Sequence, residues 1–120
     1  MGQIQHFRQL EAWQEAHKLV LMVYQVTKGF PADERFGLIS QMRRAAVSVP
    51  ANIAEGFKRR GIQDKIHFYN IGESSLEELK YYFILSKDLS YISSNDDLRA
   101  QSETVGRLLY GLIASTERRR

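Results

Sequence analysis

Residues Ser40–Gly56 read SQMRRAAVSVPANIAEG. Met42, Ala46, Val49, Ile53 and Gly56 step through this stretch by three and four, with Ile39 just before it. That spacing puts one set of side chains on a single face of a 3.6-residue helix. Pro50 sits inside the pattern. A proline there removes the hydrogen bond to the Ala46 carbonyl and costs roughly 3 kcal/mol in a helix interior. The apolar phase continues across it, which predicts a kink and not a break. The stretch therefore reads as one long helix with a buried face, and it decides the fold class because the rest of the chain shares its period.

Upstream, Pro31 suits a first helical turn, and Asp33 and Glu34 suit the positive end of the helix dipole. Helix two is expected to start near Pro31 or Ala32. Helix one is expected from Gln9 to Lys28, with Leu10, Trp13, His17, Val20, Tyr24 and Thr27 inward and Leu21 and Val23 beside them. Gly29 is the expected positive-φ residue that ends it. Downstream, Gly56 and Gly61 bracket a basic turn. Helix three follows from Gln63 to Leu89, its core line running through Ile66, Tyr69, Glu73, Leu76, Leu79, Phe83 and Ser86. Ser94 with Asp97 resembles a capping box. Helix four is expected from Asp96 to Thr116, with Leu98, Val105, Leu108, Leu109, Leu112 and Ile113 inward. Trp13, Tyr24, Phe36, Tyr69 and Phe83 are expected in the core. Four long helices with short connections predict an all-α fold, an antiparallel up-down-up-down four-helix bundle. One domain is expected over residues 1–120, with a core over about 7–116 and a basic tail at 117–120.

The 120 residues fit one domain, and a chain of that length buries roughly two-thirds of its unfolded surface. There is no cysteine, so disulfides and thiolate metal sites are excluded. The N-terminal residues lack the apolar core of a secretory signal, and no apolar run approaches the roughly 20 residues of a membrane span. The expected location is the cytoplasm, with no membrane association. Seventeen basic residues against 14 acidic ones give a net charge of +3. That balance permits a polyanionic partner without demanding one.

The positive charge is locally concentrated. Lys58, Arg59 and Arg60 form one cluster, Arg43 and Arg44 a second, and Arg118, Arg119 and Arg120 a third. These eight residues are the candidate nucleic-acid contacts. Arg43 and Arg44 are equally readable as ion-pair donors to acids such as Glu73, Glu77 and Glu78. Val47, Pro50, Ala54 and Phe57 form a second apolar line on helix two, beyond what one core face needs. That line is the candidate oligomer interface, although alanine is also simply a good helix former.

Catalytic patterns are weak. Asp64-x-x-His67 is a single near match to a bundle-core metal motif that needs two such helices, so no metal and no cofactor are expected. His17 falls on the apolar stripe of helix one and reads as a core histidine. Arg60 six residues before His67 resembles the active pair of the all-α HEPN ribonucleases, where a histidine assists proton transfer. No Ser-His-Asp set, glycine-rich phosphate loop or zinc spacing occurs.

Three stretches together resemble a known family. They are Phe30–Leu38 (FPADERFGL), Ser40–Gly56, and Gly72–Leu79 (GESSLEEL), with Leu10 and Trp13 before them. The chain resembles the four-helix bundle proteins of the 23S ribosomal RNA intervening-sequence family from about Phe7 to Ile113. The resemblance implies an antiparallel bundle assembled as a homopentamer, with no enzymatic activity. It also implies kinship with accessory variability proteins of diversity-generating retroelements, which bind nucleic acid and associate with a reverse transcriptase. The expected function is therefore a non-enzymatic homo-oligomer that binds RNA or DNA through phosphate contacts. The alternatives are a scaffold that docks a protein such as a reverse transcriptase, and a HEPN-like ribonuclease.

Overall fold

A computed structural model describes residues 3–119 of the protein. Among them the regular structure is entirely helical. Helix α1 spans Glu11–Thr27, α2 Leu38–Lys58, α3 Ile62–Asp88 and α4 Asp96–Glu117. Short 3₁₀ turns at Phe7–Gln9 and Ala32–Glu34 precede α1 and α2. The helices pack into an elongated body of 47 × 23 × 19 Å. Helix α2 packs against α1 and α3, and α4 packs against α3 and α1. The backbones of the diagonal helices do not come close to each other among the described residues.

The core runs down the axis between the four helices. Leu19, Val23, Met42, Val49, Ile53, Leu79, Phe83, Val105 and Leu109 are all but sealed from solvent. Each such side chain stabilises the fold by roughly 1.5–3 kcal/mol of transfer free energy. Helix α2 is continuous across Pro50, so the chain is not broken there. The expected lines on α2, α3 and α4 are buried along most of their length, with Leu38, Ala45 and Pro50 added on α2, Gly72 on α3 and Ser102 and Thr116 on α4. Ile39, Ile66, Glu73, Leu108, Leu112 and Ile113, also expected inside, are only half-buried at the edges of those faces.

Helix α1 differs from its sequence reading. Its buried residues are Ala12, Ala16, Leu19, Val23 and Thr27. Trp13 and Val20 lie at the border, while His17 and Tyr24 face solvent. The helix is rotated so that alanines meet its neighbours, because small side chains allow closer axes. His17 is thus not a core histidine. Its ring stacks on Trp13 at 5.1 Å between centroids. Phe36, also expected inside, is 88% exposed.

The helix ends bring further corrections. Gly29 does not take a positive φ, and its N–H donates to the Val26 carbonyl in a continuing turn. Helix α2 begins at Leu38 and not at Pro31, because the Ala32–Glu34 turn and Gly37 intervene. Glu34 closes that start. Its Oε1 accepts from the Leu38 N–H at 3.2 Å, and its Oε2 accepts from the Tyr91 hydroxyl at 2.7 Å. A Cβ on Gly37 would lie 2.9 Å from that Oε1, so glycine leaves room for the cap. Ser94 and Asp97 do not form a capping box. Ser94 Oγ accepts from the Asp96 N–H, while the N-cap residue Asn95 turns inward to the Phe83 carbonyl. At the end of α3, Ser90 takes φ 64°. Tyr91 N–H then bonds to Ser86 O and Ser90 N–H to Lys87 O, the paired bonds of a Schellman stop.

Candidate nucleic-acid interface

The fold sorts the basic clusters to two places. Lys58, Arg59 and Arg60 occupy the α2–α3 turn, where Lys58 and Arg60 are exposed. Arg59 is partly engaged. Its Nη2 donates to Glu55 at 2.9 Å, and its guanidinium lies 4.5 Å from the centre of the Phe68 ring. Glu55 and Asp64 share the surface groove that these three bases line. The same end of the molecule carries the end of α4, where Arg118 and Arg119 are exposed. Arg120 lies outside the described residues.

Lys65 joins the two clusters. Its Nζ donates to the Phe57 carbonyl at 2.7 Å and reaches the Gly56 carbonyl at 3.4 Å, capping the end of α2. It also lines one cavity with Arg119. Burial pushes the Lys65 ammonium below its ordinary value, and the neighbouring positive Arg119 pushes it the same way. Sequence reading did not single out Lys65. It is an isolated basic residue, and the only signal was its place one helical turn past the glycine that opens α3.

Arg43 and Arg44 stand elsewhere. Fifteen residues of helix put Arg43 roughly 22 Å from Lys58 along the axis. The Arg43 side chain is also occupied. Its Nε donates to Thr27 Oγ1 at 2.9 Å, and its guanidinium lies 4.4 Å from the centre of the Tyr24 ring. It thereby ties α2 to the end of α1. Arg44 is exposed and lines an open groove of ≈ 610 Å³ with Arg35, Phe36 and Val47. No carboxylate lines that groove.

The four candidate interface residues do not share one open face. Val47 is 41% exposed. Pro50 is buried within the chain's own core. Ala54 is half-buried, and Phe57 packs against the core at the basic end. Positions 47 and 50 lie only about 60° apart around α2, so the border between core and solvent runs between these neighbours. His67 is exposed and meets the Phe68 ring edge-on, with no hydrogen bond to Arg60 among the described residues. No three His, Asp or Glu side chains gather into a metal-binding group among those residues either. No described helix is long and apolar enough to cross a membrane.

A family model described as the 23S rRNA-intervening sequence protein matches residues 8–111. The chain belongs to this family. The intervening-sequence match takes in all of α1, α2 and α3 and most of α4. It includes the Lys58–Arg60 turn and Lys65 but stops before Arg118 and Arg119. Among solved structures, the chain is similar to a protein of unknown function from the S23 ribosomal protein family of Bacteroides thetaiotaomicron VPI-5482. The two are 21% identical with a TM-score of 0.78, over 85% of this chain and 97% of that one. At that identity the likeness speaks for the shared fold. No curated protein matches the chain.

Proposed function

We propose that this member of the intervening-sequence family is a non-enzymatic, self-associating bundle that binds the phosphate backbone of RNA or DNA through its basic end. One observation carries the reading. Two clusters nearly sixty positions apart in sequence, Lys58–Arg60 and Arg118–Arg119, lie at one end of the molecule with Lys65 between them. Contacts of this kind give affinity without base readout. The family's own description refers to 23S rRNA, which accords with an RNA partner. A cytoplasmic location goes with the reading.

The proposed topology is up-down-up-down and antiparallel. Partners across α2 and α3 support it, since Met42 meets Ser86, Ser48 meets Ser75, and Gly56 meets Tyr69. Self-association into a homopentameric ring would set five basic ends side by side and raise a potential that one chain lacks. A second reading, a scaffold that docks a nucleic-acid enzyme such as a reverse transcriptase, has its own observation. Leu21 is 56% exposed in an apolar groove between α1 and the start of α4.

The test is titration of a structured RNA and a DNA duplex at low and moderate salt. Affinity is expected to fall steeply with salt, as counterion release requires. Replacing Lys58 and Arg60 by alanine is expected to weaken binding and reduce the log–log salt slope by about 1–2 per chain. No binding at low salt would overturn the reading and turn attention to the α1–α4 groove.

A further inference from the structure

A cavity of ≈ 520 Å³ opens at the basic end. That lies within the range of roughly 300–1,000 Å³ typical of small-molecule sites. Leu10, Phe57 and Leu112 give it apolar walls. Lys65, Tyr69 and Arg119 supply its polar edge together with Gln3 and Thr116, whose hydroxyl already donates to the Leu112 carbonyl, and no carboxylate lines it. Two cations thus face one space with nothing negative between them, an arrangement that an anion relieves.

Tyr69 adds a largely buried phenol to the same lining. Burial pushes that phenol above its ordinary value. The ring is held firmly, because it lies in the space a Cβ on Gly56 would occupy, 2.6 Å from its Cε1. Lys65 uses two of its three donors on the Phe57 and Gly56 carbonyls and keeps one. Arg119 forms no ion pair with a described residue.

We propose that this cavity binds a phosphomonoester carrying a flat aromatic ring, as at the phosphorylated end of a nucleic-acid strand. A phosphomonoester brings a charge of about −1.5 to −2 and three acceptor oxygens. Those match the ammonium, the guanidinium and the phenol, while the base lies against Leu10, Phe57 and Leu112. An internal phosphodiester carries a single charge and cannot enter end-on. The proposal deepens the nucleic-acid reading and rests on it for the source of the ligand. A free mononucleotide presents the same chemistry.

Calorimetric titration separates the sources and the readings. The probes are a ten-nucleotide RNA with a 5′-phosphate, with a 3′-phosphate, or with neither, and adenosine monophosphate beside adenosine. One phosphorylated end is expected to bind about tenfold tighter than the unphosphorylated RNA. Tyr69→Phe keeps the ring against Gly56 and is expected to erase most of that preference with an unchanged melting temperature. Arg119→Ala is expected to do the same. Equal binding of all three RNAs would overturn the cavity while leaving the basic-end reading intact. Binding of adenosine monophosphate but of no RNA would keep the cavity, assign it to free nucleotides and remove the strand-binding function. A preference that survives both substitutions would overturn the assignment to this cavity.

Discussion

At Gly56 the backbone of α2 approaches Tyr69 so closely that only glycine fits. A Cβ there would sit 2.6 Å and 2.8 Å from ring carbons and 3.0 Å from the Lys65 carbonyl. The last of these is backbone and cannot swing aside. Overpacking of this kind costs roughly 1–3 kcal/mol. Alanine returns about 1 kcal/mol through better helix propensity, so the two effects oppose each other. The fixed carbonyl decides the sign, and Gly56→Ala is expected to destabilise by up to about 2 kcal/mol. Denaturant unfolding should show a lower midpoint at an unchanged m value. Equal or greater stability would mean that the ring shifts freely, and the cavity wall with it. Gly56 was legible in the sequence as a core position. Its reason was not, because the partner ring lies thirteen residues away on another helix.

Individual helices were legible to different degrees, and side-chain size explains the difference. On α2, α3 and α4 the buried faces carry large residues such as Met42, Phe83 and Leu109, so the spacing of bulk revealed them. On α1 the deepest positions include Ala12 and Ala16, while Leu21 and Tyr24 face outward. Bulk there pointed away from the core. The start of α2 was misread for a related reason. Pro31, Asp33 and Glu34 carry the composition of a helix start, but Glu34 acts from outside the helix, as a cap reached over Gly37. This geometry makes a pH prediction. The Tyr91 hydroxyl, and after it the Leu38 N–H, hold the Glu34 carboxyl below its usual value. A carboxyl lowered in the folded state contributes stability above its unfolded pKa, and that contribution fades as pH falls through the folded value. Glu34→Gln is therefore expected to lower the melting temperature by a few degrees at pH 7. The gap should begin to narrow below the unfolded value of about pH 4.3 and close only below the lowered folded value, where the wild-type carboxyl is itself protonated. A gap that stays constant from pH 7 to pH 3 would show that the carboxylate charge contributes nothing to the cap.

Across the whole molecule, charge is distributed in a way that a linear reading does not show. The basic runs were visible as runs. Arg43, however, is tied to Thr27, and Lys65 became a bridge between clusters only once α2, α3 and α4 met at one end. Two further grooves bear on self-association. The α1–α2 groove carries Arg35, Arg43 and Arg44 with no acid, beside the exposed Phe36. The α3–α4 groove carries Glu73, Glu77 and Glu103 against Lys80 and Arg107, beside Tyr110, which is 70% exposed. The two faces differ, so pairing one with the other is head-to-tail, the kind of contact that closes into rings. Single rim ion pairs contribute only about 0–1 kcal/mol, whereas like charges brought face to face cost several. Reversal is therefore the sharper probe. A variant with Arg35→Glu and Arg44→Glu has two acidic faces, and one with Glu73→Lys and Glu77→Lys has two basic faces. Each alone is expected to sediment as a monomer at concentrations where the wild type is oligomeric. Mixing them should restore association between the two kinds, although alternating kinds cannot close a ring of five without one repelling contact. A wild type that sediments as a monomer would end the ring reading altogether. An oligomer indifferent to both reversals would keep the ring and move its contacts off these two grooves.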